Sequence, residues 1–468
     1  MQATSHQFHK NVRAALANEN LQHALKGMET GLATKRRQAV AKIPQFEDLR
    51  RQGEKIKQHS LANLDVYLEQ FMENAEKQGA EILFARDGAR ANELILSIIE
   101  EEKANFIAKS KSMVSEEIAL NHALEQAGHK VLETDLGEYI VQLRKEYPSH
   151  LIAPAIHVLK SEVESLFKEK HDALDKTRQF PHAADLVAEA RKILRSQFNQ
   201  ADIGITGANF LIAQTGQSVV VTNEGNADLT QHAPKTHIVL VGIEKIIPDL
   251  NALAVMLRLL ARSASGQVMT SYVTLSLGAK RTYDKDGPER LVYVIVDNGR
   301  SRMLGNQFRP MLQCIRCSAC LNNCPVYGSI GGHAYGWVYQ GPMGSVLTPN
   351  FIGLNVAHDL PQASSLCGKC AEVCPVKIPL PDLLRQWRME EHKQQISPPA
   401  GRIMLSLWAW LAARPALYHV ISKRINWAMR QSYLRPFITM GAKSWMRHRA
   451  LPLPLTPSFL AHYRKRQS

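Results

Sequence analysis

The chain is organised around residues 314–325, which read Cys-Ile-Arg-Cys-Ser-Ala-Cys-Leu-Asn-Asn-Cys-Pro. The four cysteines have the C-x₂-C-x₂-C-x₃-C-P spacing of a loop that binds a cubane iron–sulfur cluster. Three thiolates spaced by two residues can bind three irons of one cluster. The extra residue and Pro325 carry the fourth thiolate, that of Cys324, toward a neighbouring cluster instead.

A second cysteine run follows, and the two runs contain all seven cysteines of the chain. Together they predict a ferredoxin-like region with two clusters. The crossed rule of two-cluster ferredoxins divides the cysteines into two sets of ligands. The predicted ligands of cluster one are Cys314, Cys317, Cys320 and Cys374, and those of cluster two are Cys324, Cys367 and Cys370.

One ligand of cluster two is missing from this assignment. Three residues before Cys367, where a complete second run has a cysteine, the chain has Ser364. The fourth corner of cluster two is therefore open. A four-iron cluster with Ser364, water or another oxygen at that corner satisfies the spacing, and so does a three-iron cluster.

Zinc and disulfide bonds are the other uses of clustered cysteines. A tetrahedral zinc site takes four ligands, usually as two separated pairs, whereas residues 314–324 hold their four cysteines as three overlapping close pairs in one loop. Disulfides suit short secreted domains, whereas this sequence has 468 residues and starts without the charged segment and apolar core of an export signal. Thiols that bind iron then predict a reducing compartment, the cytoplasm.

Composition and charge set the last segment apart. The length predicts two to three domains, and no apolar run is long enough to predict a transmembrane helix. Most of the formal net charge of +14 belongs to residues 398–468, which contain twelve Lys or Arg and no Asp or Glu. Four of the six tryptophans are in this segment: Trp408, Trp410, Trp427 and Trp445. Amphipathic helices on a membrane or on a partner fit this composition, and so does a basic helical extension on the protein's own surface.

Hydrophobic periodicity divides the chain before that tail into three segments. Residues 1–75 have helical spacing and predict surface helices packed on the next domain. Residues 76–299 alternate short strands with helices, which predicts an α/β domain. Its predicted strands are 81–85, 129–132, 216–222, 236–241, 268–275 and 291–296, and its predicted helices include 89–110, 115–127 and 249–263.

Residues 300–396 form the predicted cluster domain. It begins with a polar linker at 300–309, has a Gly- and Pro-rich spacer at 326–366 that favours loops, and ends with a helix at 381–392. Residues 397–468 are the basic tail, in which an apolar piece from 403 to 421 is predicted to be helical.

Residues 206–226 carry the most distinctive motif, Thr206-Gly207-Ala208-Asn209 followed by Thr215-Gly216 and Glu224-Gly225. Together with the cysteine runs and the Trp-rich basic end, it resembles the lactate utilization protein B family over nearly the whole chain. The resemblance implies an α/β LUD domain, similar in fold to isomerase and CoA-transferase domains, with helices before it and a mainly α two-cluster ferredoxin-like domain and helical tail after it. It also implies two [4Fe-4S] clusters.

The resemblance further implies an electron-carrying role in converting L-lactate to pyruvate, with the other subunits of a bacterial lactate oxidation system as partners and an unknown electron acceptor. Lactate oxidation releases two electrons, whereas each cluster carries one, so two adjacent clusters suit a relay. No Gly-rich dinucleotide fingerprint follows a predicted strand, so we expect no bound flavin or nicotinamide.

Two other functions compete with electron transfer. The chain itself could be catalytic, with Glu224 acting on a small hydroxy acid or with the open corner of cluster two acting as a Lewis acid. However, residues 223–226 are also an ordinary polar turn at a strand end. Nucleic-acid binding by the basic tail is the third hypothesis, and we expect no nucleic-acid partner. The histidines His232, His237, His333 and His358 are expected to be ordinary polar residues rather than metal ligands.

Overall fold

A computed structural model describes residues 3–172, 174–431, 433–434, 440 and 459–467. The chain divides into two compact units, residues 1–391 and residues 392–468. The first unit contains the N-terminal helices, the α/β domain and both cysteine runs, and the second contains the basic tail. The predicted domain limits at residues 75, 299 and 396 stay predictions.

The N-terminal segment is helical, as its periodicity predicts. Its helices are α1 Phe8–Ala17, α2 Glu19–Met28, α3 Thr34–Ala41, α4 Phe46–Ala62 and α5 Leu64–Lys77. Helix α4 packs on the helix Leu250–Ala264, and α5 packs on the first strand of the central sheet. Their apolar faces bury Leu49, Leu61 and Phe71, so these helices complete the core of the next domain.

A parallel six-stranded sheet forms the centre of the α/β domain. Its strands are β1 Ala80–Ala85, β2 Phe106–Lys109, β3 Lys130–Glu133, β4 Ile203–Thr206, β7 Thr236–Gly242 and β10 Arg290–Val296. Their order is β1-β10-β7-β4-β2-β3. A smaller sheet contains β5 Phe210–Ile212, β6 Gln217–Thr222, β8 Ile246–Ile247 and β9 Tyr272–Ser276, in the order β8-β5-β6-β9.

Helices cover the central sheet and bury its middle strands. Every residue of β7 is buried, and so are residues 291–296 of β10, which explains why these strands are continuous apolar runs in the sequence. The helices of this domain are α6 Gly88–Glu101, α7 Met113–Glu117, α8 Leu120–Gln126, α9 Leu136–Leu143, α10 Lys160–Lys170, α11 Ala183–Phe198, α12 Asn226–His232 and α13 Leu250–Ala264.

The α/β class is confirmed, but several element predictions need correction. All six predicted strands overlap observed strands, whereas β2, β4, β5 and β8 were missed, and the strand predicted at 268–275 begins only at Tyr272. The predicted helix 89–110 is wrong beyond residue 101, because Lys103 has a positive φ of 53° and residues 106–109 form β2. The predicted helix 115–127 is two helices, since Ala119 has a φ of 55°.

The cysteine region is more helical than predicted. The predicted linker 300–309 is wrong, because helix α14 Arg300–Leu304 forms there and Arg300 is fully buried. The spacer 326–366 also forms helices, because its Val346, Leu347 and Tyr339 side chains are buried in the core. The remaining helices of the region are α15 Ala319–Asn322, α16 Pro325–Ile330, α17 Gly341–Ile352, α18 Leu354–Ala357, α19 Lys369–Glu372 and α20 Leu380–Lys393.

The described part of the tail is helical, as predicted. Its helices are α21 Pro399–Ala412, α22 Pro415–Arg430 and α23 Phe459–Gln467. Trp408, Trp410 and Trp427 are 58%, 53% and 57% exposed, while Trp445 lies outside the described residues. Within the described ranges, the helices are too short or too polar for any to cross a membrane.

Candidate iron–sulfur site

The two cysteine runs adopt the same backbone pattern. In the first run Arg316 and Ser318 have φ angles of 59° and 60°, and α15 follows. In the second run Leu366 and Gly368 have φ angles of 54° and 84°, and α19 follows. Left-handed residues other than glycine are uncommon, so their recurrence at equivalent positions identifies the two runs as structural repeats.

Four cysteines from both runs line one cavity of the first unit. They are Cys314, Cys317, Cys320 and Cys374. The backbone N–H of Ile378 donates to Sγ of Cys374 at 3.3 Å. Burial raises the pKa of Cys317 to about 12 and that of Cys374 to about 11. A bound cation is what converts such buried thiols to thiolates, so this group has the character of a metal-binding site.

The other three cysteines form a second group. Burial is the main cause that raises the pKa of Cys370 to about 12, and the charges of the neighbouring Cys324 and Cys367 add to it. Cys367 is exposed, whereas Cys370 is buried. Burial, and after it the charges of nearby cysteines that include Cys370, raise the pKa of Cys320 in the first group. The two groups are therefore neighbours, and the second one reaches the protein surface.

Ser364 stands at the position equivalent to Cys314 in the repeat. Its hydroxyl accepts a hydrogen bond from the backbone N–H of Leu366 at 3.1 Å. Its backbone carbonyl accepts from Nη2 of Arg388 at 2.8 Å. Ser364 thus stabilises the loop that carries Cys367.

The residues present fit iron–sulfur clusters. The lining of the first cavity, all of it within the described residues, combines four sulfur donors with apolar side chains such as Met311, Ile315 and Leu380, and it includes no carboxylate or imidazole. Around the second group, burial raises the pKa of Cys324, while backbone N–H groups of Tyr327 and Val326 favour its thiolate. Thiolates with amide donors in an apolar setting are the surroundings in which protein-bound clusters occur.

Two arginines of the N-terminal helices hold the second run in place. Arg36 of α3 donates from Nη2 to the carbonyl of Val373 at 2.8 Å. Arg50 of α4 donates to the carbonyl of Cys374 from Nε at 2.9 Å and from Nη2 at 2.7 Å. Sequence reasoning missed both residues, because the only signal was an arginine on a helix face that otherwise packs inward.

A buried ion network connects the first run to the sheet domain. Arg300 donates from Nη1 and Nη2 to the carboxylate of Glu117, both at 2.8 Å, and from Nε to Glu244 at 2.6 Å. Arg316 of the first run lies 3.4 Å from Glu244 and 4.6 Å from the ring centroid of Tyr339. Burial by itself would raise the pKa of Glu244. The positive charges of Arg300, Lys245 and Arg316 hold this pKa at about 2 instead. The carboxylate therefore stays charged inside the protein.

A second cavity, about 340 Å³ in volume, lies at the carboxyl ends of β2, β4 and β7. The sequence motif contributes Gly207, Ala208, Asn209 and Glu224 to its lining. The structure thus places residues 207–209 and Glu224, two separate parts of the motif, in the lining of one cavity. Sequence reasoning missed two lysines of the same lining, Lys111 and Lys245.

The four histidines considered from sequence have protein partners outside the cysteine groups. The observed contacts are Thr206 with His237 at 2.8 Å, the carbonyl of Asp228 with His232 at 2.7 Å, the carbonyl of Tyr147 with His333 at 2.7 Å, and Asp359 with His358 at 3.4 Å. His333 also brings a possible ligand atom within 4.8 Å of those of Glu146 and His157. Glu146 and His157 bond each other at 2.8 Å.

Comparisons with known proteins agree with this architecture. Residues 68–296 match the LUD domain family, and residues 310–378 match the 4Fe-4S dicluster domain family. A solved structure of a DUF162 family protein from Deinococcus radiodurans aligns with 50% of this chain and 98% of its own, at 15% identity and a TM-score of 0.25. The two family matches define the chain as a LUD-domain protein with a 4Fe-4S dicluster domain.

Curated relatives match over almost the full length. Lactate utilization protein B of Bacillus cereus (strain AH820) is 42% identical over 99% of this chain and 98% of its own. Lactate utilization protein B of Geobacillus sp. (strain WCH70) is 43% identical over 98% of this chain and 97% of its own. The chain belongs to the lactate utilization protein B family, which confirms the resemblance expected from the sequence.

Proposed function

We propose that this chain is the iron–sulfur electron-transfer subunit of a system that oxidises L-lactate to pyruvate. The observation that carries the proposal is the grouping of seven cysteines from two runs into two neighbouring sets within one compact unit. The relatives named for lactate utilization supply the substrate. The other subunits of that system are the proposed partners, and the cytoplasm is the proposed location.

The proposed ligand sets follow the crossed rule. Cluster one takes Cys314, Cys317, Cys320 and Cys374, and cluster two takes Cys324, Cys367, Cys370 and an oxygen or other fourth ligand, each cluster being of the [4Fe-4S] type. When bound, such clusters accept and release one electron at a time, so a two-electron oxidation is divided into single steps.

Charged residues of this chain distinguish the two cysteine groups. Arg36, Arg50 and Arg316 bring positive charge to the first group. Cations near a cluster favour its reduced, more negative form. The second group has an exposed cysteine, Cys367, and no comparable set of buried arginines in the described residues. We therefore assign the first group the higher potential and the second group the contact with a redox partner.

The basic tail is the proposed membrane contact. Large apolar side chains on α21 and α22 are exposed, among them Ile403, Met404 and Trp410 at 61%, 71% and 53%. Residues 398–468 carry twelve basic residues and no acidic one. Exposed Trp and Leu beside Lys and Arg suit helices that lie on an anionic lipid surface.

Electron paramagnetic resonance with iron and sulfide analysis tests the proposal on anaerobically purified protein. We expect about eight irons per chain and signals from two interacting [4Fe-4S] clusters. We also expect L-lactate to reduce these clusters only when the partner subunits are added. Stoichiometric zinc in place of iron, or reduction by L-lactate without partners, contradicts the proposed function.

A further inference from the structure

The cavity at the carboxyl ends of β2, β4 and β7 has the features of a small-molecule site. Its volume of about 340 Å³ falls in the range of roughly 300–1,000 Å³ that ligand pockets have. Its position is the edge at which open parallel sheets hold their ligands. Arg316 lines both this cavity and the one formed by the first cysteine group, so the two sites share a wall.

Lys245 brings a positive charge to the lining of this cavity. The residue is only 8% exposed, and in the described part of the chain its ammonium group has no hydrogen-bond or ion-pair partner. Burial lowers its pKa to about 8. By contrast, the buried Lys57 nearby donates to the carbonyls of Glu244 at 2.6 Å and Ile246 at 3.4 Å. The charge of Lys57 is therefore used inside the fold, whereas the ammonium group of Lys245, whose nearest opposite charge is the carboxylate of Glu244, can also meet an anion in the cavity.

Two further groups of the lining can donate to an anion. Lys111 is half-buried and likewise has no ion-pair partner among the residues that the structure describes. Asn209 uses its Oδ1 to accept from the backbone N–H of Val221 at 2.9 Å. This contact leaves the NH₂ group of Asn209 available to donate to a bound molecule.

The carboxylates of the lining limit the charge of that molecule. Glu244 is bound by Arg300 and Arg316. The carboxylates of the lining that can meet a bound molecule are therefore those of Asp135 and Glu224. Glu224 is exposed, and Asp135 is half-buried at the start of α9. Two such carboxylates repel a multiply charged anion, and they accept hydrogen bonds from a hydroxyl group.

We propose that this cavity binds a small hydroxylated monocarboxylate. Its carboxylate lies against Lys245 and Lys111, and its hydroxyl lies toward Asp135 and Glu224. The proposal goes beyond electron transfer and does not depend on it, because no cysteine lines the cavity. Because Arg316 lines both cavities, a bound anion and the first cysteine group share this residue.

Isothermal titration calorimetry of the full-length, cluster-loaded protein tests this site with L-lactate, propionate and inorganic phosphate. We expect L-lactate to bind, propionate to bind several-fold more weakly because it lacks the hydroxyl, and phosphate to bind more weakly still because of its second charge. Lys245→Met and, in a separate protein, Lys111→Met each weaken L-lactate binding at least tenfold by removing a charged donor. The matched control Lys192→Met removes the same charge from the exposed face of α11 and leaves the affinity unchanged.

Thermal unfolding gives a second readout. Lys245→Met removes the cost of burying an ammonium group but also its attraction to Glu244, so without ligand it is expected to melt close to the wild type. L-lactate then raises the melting temperature of the wild type and not that of the variant. Iron content, equal in all the variants, separates loss of binding from failed cluster assembly. The proposal is overturned if the wild type gives no heat with L-lactate, if phosphate binds more tightly, or if both lysine variants keep wild-type affinity.

Discussion

The Nη2 atom of Arg316 lies 3.4 Å from Oε1 of Glu244, so a residue of the first cysteine run contacts a residue that follows β7 of the sheet domain. Glu244 also accepts from Arg300, which is fully buried. Gly242 passes close beside this pair, and a Cβ at that position would clash with both Glu244 and Arg300. The sheet domain and the first cysteine run therefore share one buried charge network.

The network predicts a large stability loss when its central cation is removed. Arg300→Met leaves the buried carboxylates of Glu117 and Glu244 without their main partner. Breaking a buried pair in this way costs about 3–5 kcal/mol in the free energy of unfolding, measured by anaerobic urea denaturation. The control Arg385→Met removes an exposed pair with Asp382 and changes the free energy little. Equal effects of the two substitutions contradict a structural role for the network.

A pH-dependent part of the stability is assigned to His237. Burial, aided by the nearby His232, lowers the pKa of His237 from its usual 6.5 to about 3. The folded chain keeps this ring neutral, whereas the unfolded chain binds a proton below about pH 6.5. Stability from this residue is therefore complete above that pH and is lost as the pH falls toward 3.

The expected loss from His237 is about 2 kcal/mol between about pH 6.5 and pH 5. Urea denaturation at the two pH values measures it. His237→Gln keeps a nitrogen that can reach Thr206, the observed partner at 2.8 Å, but cannot titrate, so the variant loses this part of the pH dependence. His6→Gln, at an exposed position, retains the wild-type dependence. An unchanged slope in His237→Gln excludes the assignment.

Crossed ligation predicts that cysteines from different runs affect the same cluster. Cys314→Ser and Cys374→Ser remove ligands of cluster one, so each should abolish the same electron paramagnetic resonance signal. Cys324→Ser should disturb the other signal. Iron analysis of the three variants gives the accompanying loss of metal. Loss of different signals in Cys314→Ser and Cys374→Ser shows that the crossed assignment is wrong.

The repeat predicts that Ser364 stands at the incomplete corner of cluster two. Ser364→Cys places a thiol at the position equivalent to Cys314 in the first run. We expect the variant to give the spectrum of a fully thiolate-ligated cluster and to lose iron more slowly in air. Ser364→Ala serves as the control, because it removes the hydroxyl without adding a ligand. Identical spectra in wild type and Ser364→Cys mean that another group fills the corner.

The sequence predicts best those features that depend on local spacing. The cysteine runs identify the cluster domain, because ligand reach is set by a few residues of backbone. Strands β7 and β10 are predicted because apolar β-branched runs are typical of buried parallel strands. Strands β2 and β4 are missed because each has four residues and its burial comes from neighbouring strands that are distant in sequence.

The residues that surround the site could not be predicted from local patterns. Arg36 and Arg50 precede Cys374 by more than 300 positions, and only tertiary packing brings them to the second run. Arg300 was predicted to be a linker residue because a polar sequence segment usually is exposed. Its burial depends on two carboxylates that come from separate parts of the sheet domain. Such long-range charge pairing leaves no periodicity in the sequence.

The tail should bind anionic membranes. A chain that ends at Ser397 lacks the exposed tryptophans of α21 and α22 and all twelve basic residues of the segment, yet it keeps the seven cysteines. Each basic residue near an anionic bilayer contributes about 1 kcal/mol, and this attraction weakens as salt increases. We expect the intact protein to sediment with anionic vesicles at low salt, and the shortened protein to stay in the supernatant with its iron content unchanged.

The intact chain with Trp408→Ser and Trp427→Ser separates the apolar contribution from the electrostatic one. Both side chains are more than half exposed, so their loss should weaken vesicle binding without altering the iron content. Its remaining binding should also fall more steeply with salt, because charge attraction then dominates. Equal sedimentation of the intact and shortened proteins excludes a membrane role for the tail. If neither protein sediments and only the intact one joins its partner subunits, the tail is an assembly element, because its exposed apolar face is then covered by protein rather than by lipid.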